Sequence, residues 1–269
     1  MSRHYLMCRP TYFAVDYAIN PWMDPTEPVD VDLAISQWTT LVETYRSLGH
    51  TVDFIDPVAG LPDMVFAANG ATMVDGTVLG VSFTYAERAA EGPAYLDWFD
   101  RAGFWTQAAK ATNEGEGDML LTADYLLAGT GFRTDLAAHA EAQELFGRPV
   151  ISLQLVDPRF YHLDTALTVL HRDPADSRPQ VAYLPEAFSE GSQKVLVRLF
   201  PNAIHAGIED ATVLGLNAAS DGHRVVLPVQ AKGLADQLAS KGYEPVPVDM
   251  SELLKAGGGP KCCTLEVRA

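Results

Sequence analysis

The first long periodic segment of the chain predicts an amphipathic helix. Apolar residues recur at alternating spacings of four and three, which places them on one helical face: Ala34, Trp38, Leu41, Tyr45 and Leu48. Gly49 follows this series, and glycine is a common residue just after a helix end. We therefore predict a helix over roughly residues 31–48.

A β-rich pattern follows this helix and then recurs along the chain. TVDFID predicts a strand, and the segments ATMV and TVLGV flank Asp75-Gly76, which is typical of a hairpin turn. Five helix-to-strand junctions are present: SLGHTVDFID, RAGFWTQAAK, LFGRPVISLQ, LFPNAIHAGI and SKGYEPVPVD. A polar or thiol residue opens a β-rich segment about 10–20 residues after each junction: Asn69, Asp118, Asp164, Asp210 and Cys262.

Five recurring units predict an α/β propeller, with ββαβ-like units around a central axis lined by those five residues. Such units cannot bury their apolar faces alone, but a ring of them shares one core. The alternative is an open parallel sheet with polar strand ends, although no GxGxxG or Walker loop accompanies the strands. Because no Pro/Gly/Ser-rich linker divides the chain, we predict a single domain over residues 1–269.

The charge of the chain narrows the classes of partner. The 269 residues include 19 Lys+Arg and 35 Asp+Glu, for a formal net charge of −16. Nucleic acids and anionic membranes need basic clusters, so we expect neither as a partner, whereas a small cation suits this field. The apolar runs are shorter than the roughly 18 residues of a membrane span, and the N-terminus lacks a signal-peptide pattern. We expect a cytoplasmic protein.

The three cysteines indicate packing or chemistry rather than cross-linking. Cys8, Cys262 and Cys263 are odd in number, and two of them are adjacent, where a mutual disulfide would be strained. No CxxC or HExxH spacing accompanies the seven histidines. We therefore expect no metal site.

Several short segments, taken in order, carry a family likeness. They are MCRP, FAVDYAINPWM, PDMVFAANGA, NEGEGD, GFRT, HLDT and GGGPKCCTLE. Their order and spacing resemble the guanidine-modifying (pentein) superfamily over nearly the whole chain, and within it most the arginine dihydrolases, with dimethylarginine dimethylaminohydrolases as near relatives. The resemblance implies a pentein-type propeller and a cysteine-dependent hydrolase of C–N bonds in linear amidines that needs no cofactor.

The resemblance assigns Cys262 as the nucleophile and His162 as the general acid and base. A cysteine attacks as the thiolate, which a neighbouring cation such as Lys261, a base, or the substrate's own charge can favour. Without the resemblance, a buried small hydrophobe would be the default reading of either C-terminal cysteine. Cys263 is assigned to packing, and Cys8 is expected to be structural.

Guanidinium recognition requires planar acceptors, because the substrate presents N–H donors in a fixed fork. The resemblance implies this role for three carboxylates: Glu114, Asp118 and Asp164. Asp63 is a further residue expected to bind substrate. Glu116 is a rival to Glu114, since the spacing of the acidic pair varies between branches, and a solvated acidic turn is the alternative for the segment. The usual Phe of that motif is Asn113 here.

Two arginines and two asparagines complete the implied site. Arg88 and Arg133 match positions that clamp the substrate α-carboxylate, although Arg88 could instead form a surface ion pair. Asn69 stands where single-step relatives carry an acid, and an amide can also hold a neutral ureido group. Asn20 likewise resembles a dihydrolase position. For either asparagine, an ordinary turn or cap is the alternative.

The function implied is hydrolysis of an arginine-type guanidine through a covalent S-amidino cysteine. An arginine dihydrolase would proceed to ornithine, ammonia and carbon dioxide. The alternatives are a dimethylarginine dimethylaminohydrolase and a deiminase that stops at citrulline; a non-catalytic binding protein is disfavoured by the presence of both Cys262 and His162. The expected partner is a small cationic guanidino compound, and a homo-oligomer is compatible with the sequence.

Overall fold

The computed structural model describes residues 2–173, 175–178 and 180–268, and within them fifteen strands form five three-stranded sheets. The strands are β1 His4–Cys8, β2 Thr51–Ile55, β3 Thr72–Val74, β4 Thr77–Leu79, β5 Trp105–Gln107, β6 Met119–Leu121, β7 Leu126–Thr130, β8 Val150–Gln154, β9 Leu167–Val169, β10 Val181–Tyr183, β11 Ile204–His205, β12 Ala219–Ser220, β13 Arg224–Pro228, β14 Glu244–Val248 and β15 Leu265–Glu266. The α-helices are α1 Val31–Ser47, α2 Glu91–Arg101, α3 Leu136–Phe146, α4 Leu163–Ala166, α5 Glu190–Leu199, α6 Ile208–Ala211, α7 Lys232–Ser240 and α8 Ser251–Leu254.

All five sheets repeat one connectivity. In each sheet the first strand is antiparallel to the second, and the second is parallel to a third strand that follows a helix. One sheet joins the two ends of the chain, because β15 pairs antiparallel with β1, and β1 pairs parallel with β2 after α1. The five predicted ββαβ-like units are therefore confirmed, and the single open parallel sheet is wrong.

Local signals account for the first helix and the first hairpin. The Asp30 side chain accepts a hydrogen bond from the Leu33 amide at 2.9 Å and caps α1, which ends one residue before the predicted position. Four residues of its predicted apolar face, Ala34, Trp38, Leu41 and Tyr45, are buried, whereas Leu48 follows the helix and is partly exposed. At the hairpin, Asp75 and Gly76 have φ values of 47° and 78°, the left-handed pair that a type I′ turn requires.

The residues predicted to line the central axis can be located relative to the first strand of each unit. Short segments precede these strands, including the 3₁₀ turns Ala67–Gly70 and Gly115–Gly117 and the helix α4. Asn69, Asp118, Asp164 and Cys262 lie in or beside such segments and are buried. They are accordingly in equivalent positions of four units.

The prediction for the fourth unit, Asp210, is wrong. Asp210 lies in α6, is partly exposed, and accepts a hydrogen bond from the Gly233 amide at 3.0 Å in the first turn of α7. Because α6 and the turn after it separate Asp210 from β12, the residue beside that strand is Asn217, which is fully buried.

Apolar clusters fill the space between the sheets and helices. The largest cluster contains residues of each strand from β7 through β11, of strand β13 and of helices α5 and α7. Another cluster packs α1 against β1, β2 and the segment that carries Cys262 and Cys263. Within the described parts of the chain, no helix is both long and apolar enough to cross a lipid bilayer.

Candidate active site

Cys262 sits in a glycine-rich segment that packs closely against its neighbours. A Cβ on Gly258 would lie 2.1 Å from the Phe66 ring, and one on Gly259 would lie 3.0 Å from Asn217 Oδ1. The Cys262 Sγ is 3.0 Å from Asn217 Nδ2 and 3.5 Å from Asp164 Oδ2. The small residues therefore allow the thiol to contact an amide donor and a carboxylate.

Asn217 holds this segment in place and was missed by the sequence reasoning. Its Oδ1 accepts hydrogen bonds from the amides of Gly259 at 3.1 Å and Cys262 at 2.9 Å, while its Nδ2 donates to the sulfur. The available signal was a single amide in the apolar run VLGLNAAS, two residues before β12.

Burial controls the ionisation of the thiol and of Asp164. Burial, followed by the charge of Asp164, raises the pKa of Cys262 well above its ordinary value, which favours the neutral thiol. Burial also raises the pKa of Asp164 to about 7, although the Lys261 charge and the Cys262 hydrogen bond act in the opposite direction. Asp164 Oδ1 has no hydrogen-bond partner among the described residues.

His162 is held by Glu114. His162 Nε2 lies 2.7 Å from Glu114 Oε2, and Arg133 Nη1 donates to the same oxygen at 2.9 Å. Burial would raise the pKa of Glu114, but the hydrogen bond and charge of His162 and the charge of Arg133 outweigh it and lower the pKa to about 2. The low pKa favours the anionic form of Glu114, which orients the imidazole through its contact with Nε2. The Nδ1 atom of His162 is buried without a partner in the described chain.

Glu116 faces different partners. It accepts hydrogen bonds from Lys261 Nζ at 2.6 Å and from the Glu266 amide at 3.2 Å, and it pairs with Arg268. Of the two rival glutamates, Glu114 is therefore the one that contacts His162. Lys261 is engaged by Glu116 and by the Thr264 carbonyl rather than by the thiol of Cys262.

Asp118 supports the histidine segment. Its Oδ1 accepts from the Leu163 amide at 2.9 Å and its Oδ2 from Thr134 Oγ1 at 2.7 Å. Burial raises the pKa of Asp118 to about 6. The structure therefore places Asp118 beside His162, with both carboxylate oxygens bound to the protein.

The two predicted arginines are buried within the site. Arg133 donates to Glu114 and to the Ile19 carbonyl, and its guanidinium stacks against two tyrosine rings with centroids 4.6 and 4.7 Å away. Arg88 forms a two-point ion pair with Glu91 and donates to Asn69 Oδ1 at 2.9 Å. Arg88 is only 3% exposed, so the surface ion pair considered for it is wrong.

The remaining predicted residues link the site to surrounding loops. Asn69 Nδ2 donates to the Glu114 carbonyl at 3.2 Å, and a Cβ on Gly117 would lie 2.2 Å from that Nδ2, so a glycine is required there. Asp63 Oδ2 accepts from the Tyr17 hydroxyl at 2.9 Å, while its Oδ1 is buried without a partner among the described residues.

Asn20 lies at the edge of this group. Its Nδ2 donates to the Ala256 carbonyl at 3.1 Å, and its Oδ1 accepts from the Trp22 amide at 2.9 Å. Asn20 thereby ties the loop before α1 to the glycine-rich segment that carries Cys262.

These contacts define what we call the catalytic cluster: Asp63, Asn69, Arg88, Glu114, Asp118, Arg133, His162, Asp164, Asn217 and Cys262. Among the described residues, no group of three or more His, Cys, Asp and Glu side chains is arranged to hold a metal ion. The cluster joins a thiol, an anchored imidazole and several carboxylates, which suits nucleophilic attack on a cationic carbon centre.

Comparison with known proteins agrees with this chemistry. No family model matches the chain. An N(G),N(G)-dimethylarginine dimethylaminohydrolase of Mycobacterium tuberculosis is 53% identical over 266 residues, which cover 99% of this chain and 86% of that protein. The chain belongs to the guanidine-modifying (pentein) superfamily. It is a cysteine-dependent hydrolase of C–N bonds in linear amidines.

Other relatives carry a different activity. The bifunctional arginine dihydrolase/ornithine cyclodeaminase ArgZ of Synechocystis is 34% identical over 97% of this chain, which spans 37% of the length of ArgZ. The substrate-bound N-terminal domain of ArgZ superposes with a TM-score of 0.92 at 33% identity, over 99% of this chain and 98% of that one. A dimethylarginine dimethylaminohydrolase adduct gives a TM-score of 0.82 at 20% identity over 99% and 100% of the two chains, a likeness of fold alone.

Proposed function

We propose that this pentein hydrolase is an arginine dihydrolase, which converts arginine to ornithine, two ammonia and carbon dioxide. The observation that supports this activity best is Asn69, a buried amide within the catalytic cluster that contacts both Arg88 and the Glu114 backbone. The likeness to the ArgZ domain supports the same activity.

The first half-reaction breaks one C–N bond of the guanidinium. The Cys262 thiolate attacks the guanidinium carbon, and the departing nitrogen takes a proton from His162 and leaves as ammonia. The product is an S-amidino enzyme. His162 then removes a proton from water, whose oxygen displaces the sulfur and yields citrulline.

The second half-reaction repeats this chemistry on citrulline. The thiolate attacks the ureido carbon and a second ammonia leaves, which produces an S-carbamoyl enzyme. Water cleaves the C–S bond of this thiocarbamate and releases Cys262 and a carbamate, and the carbamate loses carbon dioxide to leave ornithine. Two water molecules are consumed for each arginine.

The electrostatics of the cluster favour a cationic substrate. Asp164 Oδ1 and Asp63 Oδ1 are buried acceptors without partners in the described chain, and a guanidinium supplies N–H donors in a planar fork. A cation beside Asp164 would lower its pKa and that of the Cys262 thiol, since nearby positive charge stabilises both anions. Substrate binding would thus generate the nucleophile where it is needed.

Asn69 allows the second half-reaction on physical grounds. A carboxylate at this position would repel the ureido oxygen of citrulline, whereas an amide can donate to that oxygen or accept from a nitrogen. The neutral intermediate would therefore be retained long enough for a second attack.

The second candidate is a dimethylarginine dimethylaminohydrolase. It is favoured by the 53% identity to the Mycobacterium tuberculosis protein of that name. Its reaction would use the same nucleophile but release a methylated amine and stop at citrulline.

Quantifying products separates the two candidates. We expect purified protein to release about two ammonia per arginine consumed and to consume citrulline supplied alone. Asn69→Asp should shift the product towards citrulline while Cys262 stays reactive. Accumulation of citrulline with about one ammonia per arginine, or release of dimethylamine at a higher kcat/KM than ammonia from arginine, would reject the dihydrolase assignment.

A further inference from the structure

The charged side chains that line a small cavity outside the catalytic cluster are mostly basic. Its volume is about 60 Å³, and the charged residues in its described lining are Arg3, Arg172, Lys261, Glu266 and Arg268. An adjoining hollow of about 500 Å³ shares three of these arginines and is more open. We call the smaller space the basic cavity. The chain as a whole has a net charge of −16, so the cavity differs in the sign of its charge from the rest of the protein.

The cations of the basic cavity outnumber the carboxylates that neutralise them. Glu266 receives Arg172 at 2.7 Å, Arg268 at 2.9 Å and Arg3 at 3.2 Å. Glu116 pairs with Lys261 at 2.6 Å and with Arg268. Four cationic side chains therefore share two carboxylates.

Hydrogen-bond donors are also in excess. The Nε atoms of Arg3 and Arg268 are buried and have no acceptor among the described residues. Burial and the charges of Arg268 and Arg3 lower the pKa of Arg172, although Glu266 opposes this. An additional acceptor with negative charge would satisfy the donors and reduce the repulsion between the arginines.

We propose that the basic cavity binds a small, doubly charged oxyanion such as inorganic phosphate. The cavity volume is several times the roughly 10–15 Å³ that one water molecule needs, so it admits a group of a few heavy atoms. The oxyanion would balance the two unmatched cations and accept from the guanidinium donors. The adjoining hollow supplies a route from solvent.

The site adjoins the catalytic cluster through the chain itself. Lys261 precedes Cys262, and Glu116 lies between Glu114 and Asp118. The proposal nevertheless does not depend on which guanidine the enzyme hydrolyses, because none of its ligands belongs to the catalytic cluster.

Thermal unfolding in the presence of phosphate tests the site. The full chain is titrated with inorganic phosphate, with chloride added to keep ionic strength constant, because chloride controls for general screening. We expect a saturable rise in Tm that sulfate reproduces. No rise beyond that in chloride would overturn the proposal.

Substitution of Arg172 locates the binding. Arg172→Gln should reduce phosphate affinity at least about tenfold in calorimetry, equivalent to about 1.4 kcal/mol, and Arg172→Lys, which keeps the charge, should lose less. Arg101→Gln is the matched control, since it removes one cation from an exposed pair with Asp97. Unchanged phosphate affinity in Arg172→Gln, or equal losses in the Arg172 and Arg101 variants, would overturn the assignment.

A phosphate ester distinguishes the source of the oxyanion. Glycerol 2-phosphate carries the same group on a carbon skeleton, and we expect it to bind more weakly than inorganic phosphate because of the small cavity volume. Tighter binding of the ester would overturn the assignment of a free oxyanion.

Discussion

The catalytic cluster and the basic cavity adjoin each other through two shared segments, residues 114–118 and 261–268, yet their charge balance is opposite. Glu114 and Glu116 are both fully buried and two residues apart. Glu114 contacts His162 and Arg133, whereas Glu116 contacts Lys261 and Arg268. Carboxyl groups are in excess in the first region and cations in the second. Similar acidic residues thus acquire different roles from their surroundings.

The cysteine pair shows the same contrast. Both cysteines pack in the apolar cluster that includes residues of α1 and α8, but Cys262 also contacts Asn217 and Asp164 through its sulfur. The difference between the two regions can be tested by matched substitutions, beginning with the one expected to have the largest effect.

Replacing the two cysteines separately should separate chemistry from packing. We expect Cys262→Ser to lower kcat about 10⁴-fold or more, because a serine hydroxyl is a far weaker nucleophile than a thiolate. Cys263→Ser should retain most activity. Steady-state assays measure both, and mass spectrometry of acid-quenched turnover should place the adduct on Cys262. Equal losses, or an adduct on Cys8, would contradict the assignment.

Separate substitutions of Glu114 and Glu116 compare the catalytic cluster with the basic cavity more closely. Glu114→Gln should lower kcat by about 10²–10³-fold, since it removes the anion that orients His162. Glu116→Gln should instead cost about 3–5 kcal/mol of folding free energy, because it leaves Lys261 without a carboxylate partner and Arg268 with Glu266 alone. Denaturant unfolding and the kcat of the folded fraction measure the two effects. A greater loss of kcat in the Glu116 variant would reverse the roles.

Removing Asn217 tests whether it positions the nucleophile. The Asn217 hydrogen bond lowers the pKa of Cys262, so Asn217→Ala should raise that pKa further and lower kcat by about 10–100-fold. The rate of iodoacetamide labelling of Cys262 against pH reports the change directly, because the thiolate is the reactive form. Asn202→Ala, in an exposed turn, is the control. An unaltered labelling profile would leave Asn217 a purely structural residue.

The pH dependence tests the excess of carboxyl groups in the catalytic cluster. Burial raises the pKa of Asp164 to about 7 in the free enzyme. Below that pH the carboxyl is neutral and cannot pair with a guanidinium, so kcat/KM for arginine should fall up to about tenfold per pH unit. The ureido group of citrulline is uncharged, so kcat/KM for citrulline should depend less on pH. Profiles for both substrates from about pH 5.5 to about 8 test this, and parallel profiles would exclude Asp164 as the cation ligand.

The pattern of residues along the sequence was sufficient to predict the repeating architecture. Helical periodicity, glycine stops and the Asp75-Gly76 turn are local signals, and the structure has α1, the hairpin and all five helix-to-strand junctions where they predict them. The family likeness, carried by the order of the motifs, is also confirmed at the level of the superfamily. Local preferences and motif order are properties of the linear chain, so they can be read directly from it.

Only the tertiary structure determined which polar side chains contact one another. Asp210 has the residue type expected at the fourth strand start, but α6 displaces it and Asn217 takes the position. Glu116 binds Lys261, which is more than a hundred positions away in the sequence. Which of Glu114 and Glu116 contacts His162 depends on how the 3₁₀ segment Gly115–Gly117 turns the backbone between them. Ion pairs form between segments that are distant in the sequence, and a small change in the backbone direction changes which side chains meet. The sequence pattern alone therefore does not determine the ion pairs.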